Sequence, residues 1–168
     1  MSKQRRNKKI SKVDNVPNNR IPKGNEKEKT KVSFSFEYSN WFRGEQTKCI
    51  TTYLKDESEF CKHIVYVVQV IVPKVTNDWI PGTSGNHIHK IKDKNFQKYS
   101  SIIHKVHGLN SSDLENCLWQ FGYTGSVRLI AMLKSDNTLI PLLVDYHHLG
   151  YESKNYNEPD FKNYNYCP

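Results

Sequence analysis

Long apolar runs are missing from this 168-residue chain; none approaches the roughly 18 residues that a membrane-crossing helix needs. The opening Met-Ser-Lys-Gln-Arg-Arg is followed by polar residues and holds no apolar stretch of the kind a secretory signal requires. A cytoplasmic protein that makes no use of a membrane is the expectation. Cysteine is scarce, and Cys49, Cys61, Cys117 and Cys167 nowhere form a CxxC pair. That spacing disfavours a zinc ribbon or thioredoxin-type redox site and leaves reduced, mostly buried thiols as the expected state. No GxxxxGK, GxGxxG, GxSxG or HExxH pattern occurs. Nucleotide hydrolysis, dinucleotide chemistry, serine-hydrolase chemistry and the common zinc-protease site are disfavoured accordingly.

Apolar residues are also nearly absent from the first thirty-one positions, where the only large aliphatic residues are Ile10, Val13, Val16 and Ile21, among Lys, Asn, Arg, Glu and Pro. Such a segment cannot bury enough apolar area to offset the entropy lost on ordering. It holds eleven Lys or Arg against three acidic residues, whereas residues 32–168 carry fourteen of each sign. The net charge of +8 thus belongs to a tail over residues 1–31, expected to be disordered. Residues 32–168 are expected to be a single neutral domain, large enough to fold without metal or disulfide staples. A basic tail attracts nucleic acid or an acidic surface without reading sequence. Lys8 and Lys9 are its candidate RNA contacts.

Periodicity outlines the domain. Val32-Ser33-Phe34-Ser35-Phe36 alternates as a half-buried strand does, and Cys-Ile-Thr-Thr-Tyr-Leu at 49–54 suits a short strand or a turn. Phe60, Ile64, Val67, Val68, Ile71 and Val75 follow helical spacing from a start at Ser58 to an end at Pro73. The β-branched run within it favours a strand instead, and helix is the preferred reading. Residues 81–86 form a loop, a second helix spans 95–107 up to Gly108, and residues 111–115 begin a short third helix. Strands follow at 118–121, 127–133 and 139–146, joined by turns, with Pro141 marking an edge or an irregularity in the last. The pattern predicts an α+β fold with a small antiparallel sheet packed against two or three helices.

Arginine is the other scarce residue in the ordered part, where Arg43 and Arg128 stand against twelve lysines. Arg128, set in an apolar strand, offers a planar, permanently charged fork that suits phosphate. The alternative is a partner for Asp145 across the hairpin. The last strand runs into Tyr146-His147-His148, and alternation allows only one of the two histidines to share a face with Arg128. Histidine titrates near neutrality and serves as general acid or base. His87, His89, His104 and His107 complete the set, without an acidic partner at a metal-ligand spacing, and neither a metal nor another cofactor is expected; a non-catalytic protein- or nucleic-acid-binding domain and, after it, a metal-dependent nuclease are the alternative readings.

Trp119, then Arg128-Leu129-Ile130, a hairpin, and a strand closing on Tyr146-His147-His148 resemble the C-terminal part of RelE/YoeB-type toxins. The resemblance covers residues 119–148. It implies a RelE-like α+β fold and metal-independent endoribonuclease activity, in which a ribose 2′-hydroxyl attacks its neighbouring phosphate. It further implies RNA or the ribosome as partner, and an antitoxin-like inhibitor protein. Carried over by position, Arg128 would stabilise the phosphoryl transition state, His147 or His148 would protonate the leaving 5′-oxygen, and Tyr146 would contact RNA. Trp119 and Arg43 would contribute RNA contacts. The glutamate that serves that family as general base has no clear counterpart, which leaves Glu115 and His89 as candidates.

Overall fold

The computed structural model describes residues 31–48, 50–151 and 163–168. Lys8 and Lys9, and all of the expected tail but Lys31, lie outside them. The chain is α+β. A five-stranded sheet has the order β1-β5-β4-β3-β2, with β1 at Ser33–Phe34, β2 at Ile88–Lys90, β3 at Leu118–Phe121, β4 at Arg128–Leu133 and β5 at Thr138–Asp145. β2 to β5 form an antiparallel meander, whereas β1 joins β5 in parallel, so the sheet is mixed and not wholly antiparallel. Of the alternating segment from Val32, only Ser33 and Phe34 pair as a strand, and Ser35 adds one further bond to Leu139. Pro141 coincides with a break in register: Ile130 faces Leu143 and Ala131 faces Pro141. Proline has no N–H to give the ladder.

The helical reading of the segment around Ile64 to Val75 holds, with one correction. Helix α1 (Glu57–Tyr66) starts at an Asp56 cap whose carboxylate accepts from the Glu59 N–H at 2.8 Å, one position or two before the expected start. It passes through a π-helical turn, Val67–Ile71, into α2 (Val72–Asp78), so Pro73 does not end it. In a regular α-helix the Pro73 ring would collide with the carbonyl of residue 69. The wider π turn immediately before it relieves that collision, bonding the Val72 N–H to the Val67 carbonyl. Helix α3 (Asp93–His107) ends at Gly108, which adopts φ 72° and returns its N–H to His104. Helix α4 is the short Ser111–Leu114.

The two helical layers cover opposite faces of the sheet. Val67, Ile71 and Val75 pack on Trp119, Phe121, Leu129, Ala131 and Val144. Ile102 and Ile103 of α3 pack on Leu118, Ile130, Ile140 and Leu143. Successive residues of one strand therefore serve different layers. Tyr166 bridges Leu54 through paired backbone bonds of 3.0 and 2.9 Å. Cys61 and Cys167 are exposed and Cys117 is half-buried, all three unbridged, which corrects the expectation of mostly buried thiols; Cys49 lies outside the described residues. No helix among the described residues is long and apolar enough to cross a membrane.

Candidate functional site

At the end of the sheet where β4 begins and β5 finishes, the face that carries α3 turns polar. Arg128 pairs in register with Asp145, and both are buried, at 2% and 0% exposure. Gln120 and Tyr99 join them underneath. Burying ionised groups is costly unless their polar atoms are satisfied. Asp145 Oδ2 accepts from the Tyr99 hydroxyl at 2.8 Å and from the Gly150 N–H at 2.9 Å, and Oδ1 accepts from the Leu149 N–H at 3.0 Å. Arg128 Nη1 donates to the Gly125 and Val127 carbonyls at 2.7 and 2.9 Å, while its buried Nε has no hydrogen-bond partner among the described residues. The reading of Arg128 as a partner of Asp145 across the hairpin agrees with their register and opposite charges, whereas the reading as an open fork for phosphate needs revision. The Asp145 oxygens are committed to Tyr99 and the backbone, and the buried guanidinium is not laid open as a fork for phosphate.

Room for Arg128 comes from Gly122. A Cβ there would lie 2.5 Å from Arg128 Cδ and 2.8 Å from its Nε, so any other residue would displace the side chain. Gly122 bonds through its N–H to the His87 carbonyl at 3.0 Å, which brings the start of β2 against the same spot. On β2, His89 opposes Gln120 and so shares the Arg128 face. His148, in the left-handed conformation at φ 59°, follows β5. The His89 and His148 rings lie 6.0 and 6.2 Å from the Tyr151 ring.

Electrostatics tie the group together. Burial lowers the His89 pKa, and the positive charges of His87 and Arg128 lower it further. Burial and then Arg128 lower that of His148; Asp145 opposes this and His87 and His89 add to it. Desolvation lowers Arg128 from its ordinary value, opposed by Asp145. Burial and the adjoining carboxylate hold the Tyr99 phenol well above its usual range. The arrangement offers two imidazoles biased towards their neutral forms over a permanent cation. Such a set can relay protons at a phosphate and offset its charge. Among the described residues no three His, Cys, Asp or Glu side chains converge closely enough to hold a metal ion.

Of the residues the sequence nominated, the structure gathers Arg128, His148 and His89. It separates the rest. His147, 3% exposed, turns to the other layer, where its Nε2 meets the Tyr53 carbonyl at 2.6 Å and its ring lies 5.2 Å from Tyr164. Tyr146 is buried beside His63, and its hydroxyl reaches the Phe42 carbonyl at 3.4 Å, which leaves it no free surface for RNA. Trp119 is a core residue packed on Trp79 at 5.3 Å. Arg43 is exposed in the loop that follows Trp41 and Phe42. Glu115 is exposed just after α4, at the other end of β3 from Gly122. Tyr99, Gln120 and Gly122 were missed by sequence reasoning, as was the place of His87 beside Arg128. His87 lies in the turn before β2 at φ 63°, so the alternation that places His89 does not extend to it.

No solved structure matches the chain. A protein of Ureaplasma parvum serovar 3 described as "Uncharacterized protein UU032" is 42% identical over 171 residues, covering 100% of this chain and 94% of its own. The family described as "Uncharacterised protein UU032" matches residues 36–168, all but the first strand of the described domain. The chain belongs to the UU032 family.

Proposed function

We propose that this protein is a metal-independent, endoribonuclease-like enzyme acting on RNA in the cytoplasm. The observation that carries the reading is the gathering of His89 and His148 near buried Arg128, whose Nε has no hydrogen-bond partner among the described residues. In this reading neutral His89 takes the proton of a ribose 2′-hydroxyl as its oxygen attacks the adjacent phosphorus. Protonated His148 gives its proton to the departing 5′-oxygen. Arg128 offsets the developing charge from beneath, through a medium of low dielectric rather than by a two-pronged contact. The products are a 2′,3′-cyclic phosphate and a 5′-hydroxyl, so no water is consumed in the first step. The toxin-like resemblance over residues 119–148 supports the same chemistry; this reading takes His148 as the acid and His89, outside that stretch, as the base. Lys8, Lys9 and Arg43 would add non-specific attraction for RNA or the ribosome. The basic tail would equally suit an acidic, antitoxin-like inhibitor protein.

The test is incubation of the purified protein with single-stranded RNA in the presence of chelator, followed by analysis of the new ends. Cyclic-phosphate ends, lost in His89→Ala and His148→Ala but kept in the exposed His104→Ala, are the expected result. RNA left intact by the wild type would overturn the reading. The burial of Arg128 favours a second reading, a non-catalytic domain that binds protein or nucleic acid. Binding of RNA without cleavage, unchanged by His148→Ala, would be its mark.

A further inference from the structure

Asp145 binds more than its neighbours on the sheet. Its two oxygens accept from the backbone N–H groups of Leu149 and Gly150, four and five residues on, and so close the turn that carries His148. The third donor, the Tyr99 hydroxyl, comes from α3 and locks that helix to the same carboxylate. Within the turn His148 holds φ 59°, a left-handed conformation that a non-glycine residue keeps only when its surroundings enforce it. Leu149 anchors the turn in the α3 core. Gly150 makes the approach of Tyr99 possible, because a Cβ there would lie 1.7 Å from the Tyr99 hydroxyl oxygen. The charged and titratable groups that face His148 are Arg128 from β4, Asp145 from β5, His87 and His89 from the β2 edge, and Tyr151 beyond the turn.

We infer that Asp145 and Tyr99 are a positioning pair that fixes His148 for proton donation, a role that rests on the ribonuclease reading of this site. Asp145 acts through the turn and Tyr99 through Asp145, so neither needs to touch RNA. Removing the phenol loosens the turn without removing the imidazole, so the chemical step suffers while substrate binding persists.

Two measurements on the full chain test this, with Tyr99→Phe and Gly150→Ala as variants. Amide hydrogen exchange at Leu149 and Gly150 should speed up about tenfold in Tyr99→Phe, the weight of one hydrogen bond to a charged acceptor, while exchange in α3 and β4 stays as it was. With RNA as substrate, kcat should fall about tenfold or more with KM unchanged in both variants. Unaltered exchange at those two amides, or a fall confined to KM, would overturn the inference. If the wild type leaves RNA intact, the ribonuclease reading fails and this catalytic role fails with it. The exchange result still decides separately whether the pair holds the turn.

Discussion

His147 and His148 are adjacent in the chain and belong to different parts of the molecule. His147 is buried against the Tyr53 carbonyl and a cluster of tyrosines, whereas His148 is half-buried beside Arg128 and His89. The same division runs through the sheet. Trp119, Phe121, Leu129 and Val144 make one face apolar, while Gln120, Arg128 and Asp145, alternating with them, make the other face polar at one end. A buried arginine and aspartate add little net stability to a sheet, since apolar residues of similar volume serve as well or better. Under the proposed function the polar end carries the chemistry and the apolar face supports it.

That contrast breaks if substitutions on the two faces behave alike. His148→Ala should reduce RNA cleavage by about 10²- to 10⁴-fold with little change in stability, the weight of one general acid. His147→Ala should do the converse, costing about 1–2 kcal/mol in urea unfolding for the lost bond to Tyr53 and leaving any RNA-cleaving kcat of the folded protein unaltered. Phe121→Ala on the apolar face should cost about 3–5 kcal/mol by the same unfolding measurement. Gly122→Ala should cost about 1–3 kcal/mol, with a disproportionate loss of cleavage because its Cβ pushes on Arg128.

Acidity sharpens the comparison by a smaller amount. His63, His89, His107 and His148 all have pKa values lowered chiefly by burial. Below the ordinary histidine value of about 6.5 the unfolded chain takes up protons that the folded one resists. Stability is therefore fully present above that pH and is lost as pH falls through the lowered values, which thermal melts between pH 7 and 5 would register. The same shifts set the pH dependence of kcat/KM, which should be bell-shaped with its optimum on the acid side of 6.5.

Much of the scaffold was legible because local signals agreed with tertiary demands. Apolar Leu118, Trp119 and Phe121 between turn residues, and the helix closed by Gly108, appear close to where their spacing puts them. Pro73 misled because a π turn is a tertiary accommodation with no mark in the sequence. The parallel pairing of β1 with β5 was hidden for a similar reason, since partner and direction depend on what lies between Phe34 and Thr138. At the site, alternation required that one histidine of the pair leave the Arg128 face, yet could not choose which. The choice is made by the Asp145 turn, whose donors come from Leu149, Gly150 and the distant Tyr99. Trp119 and Tyr146 were read as surface aromatics for RNA, and packing claimed both.

If His89 and His148 act as one acid–base unit, a double-mutant cycle on RNA cleavage shows it. Groups that act together are not additive. His89→Ala with His148→Ala should lose about as much kcat as the more damaging single change. Losses that simply multiply, or single variants as active as the wild type, would contradict the account.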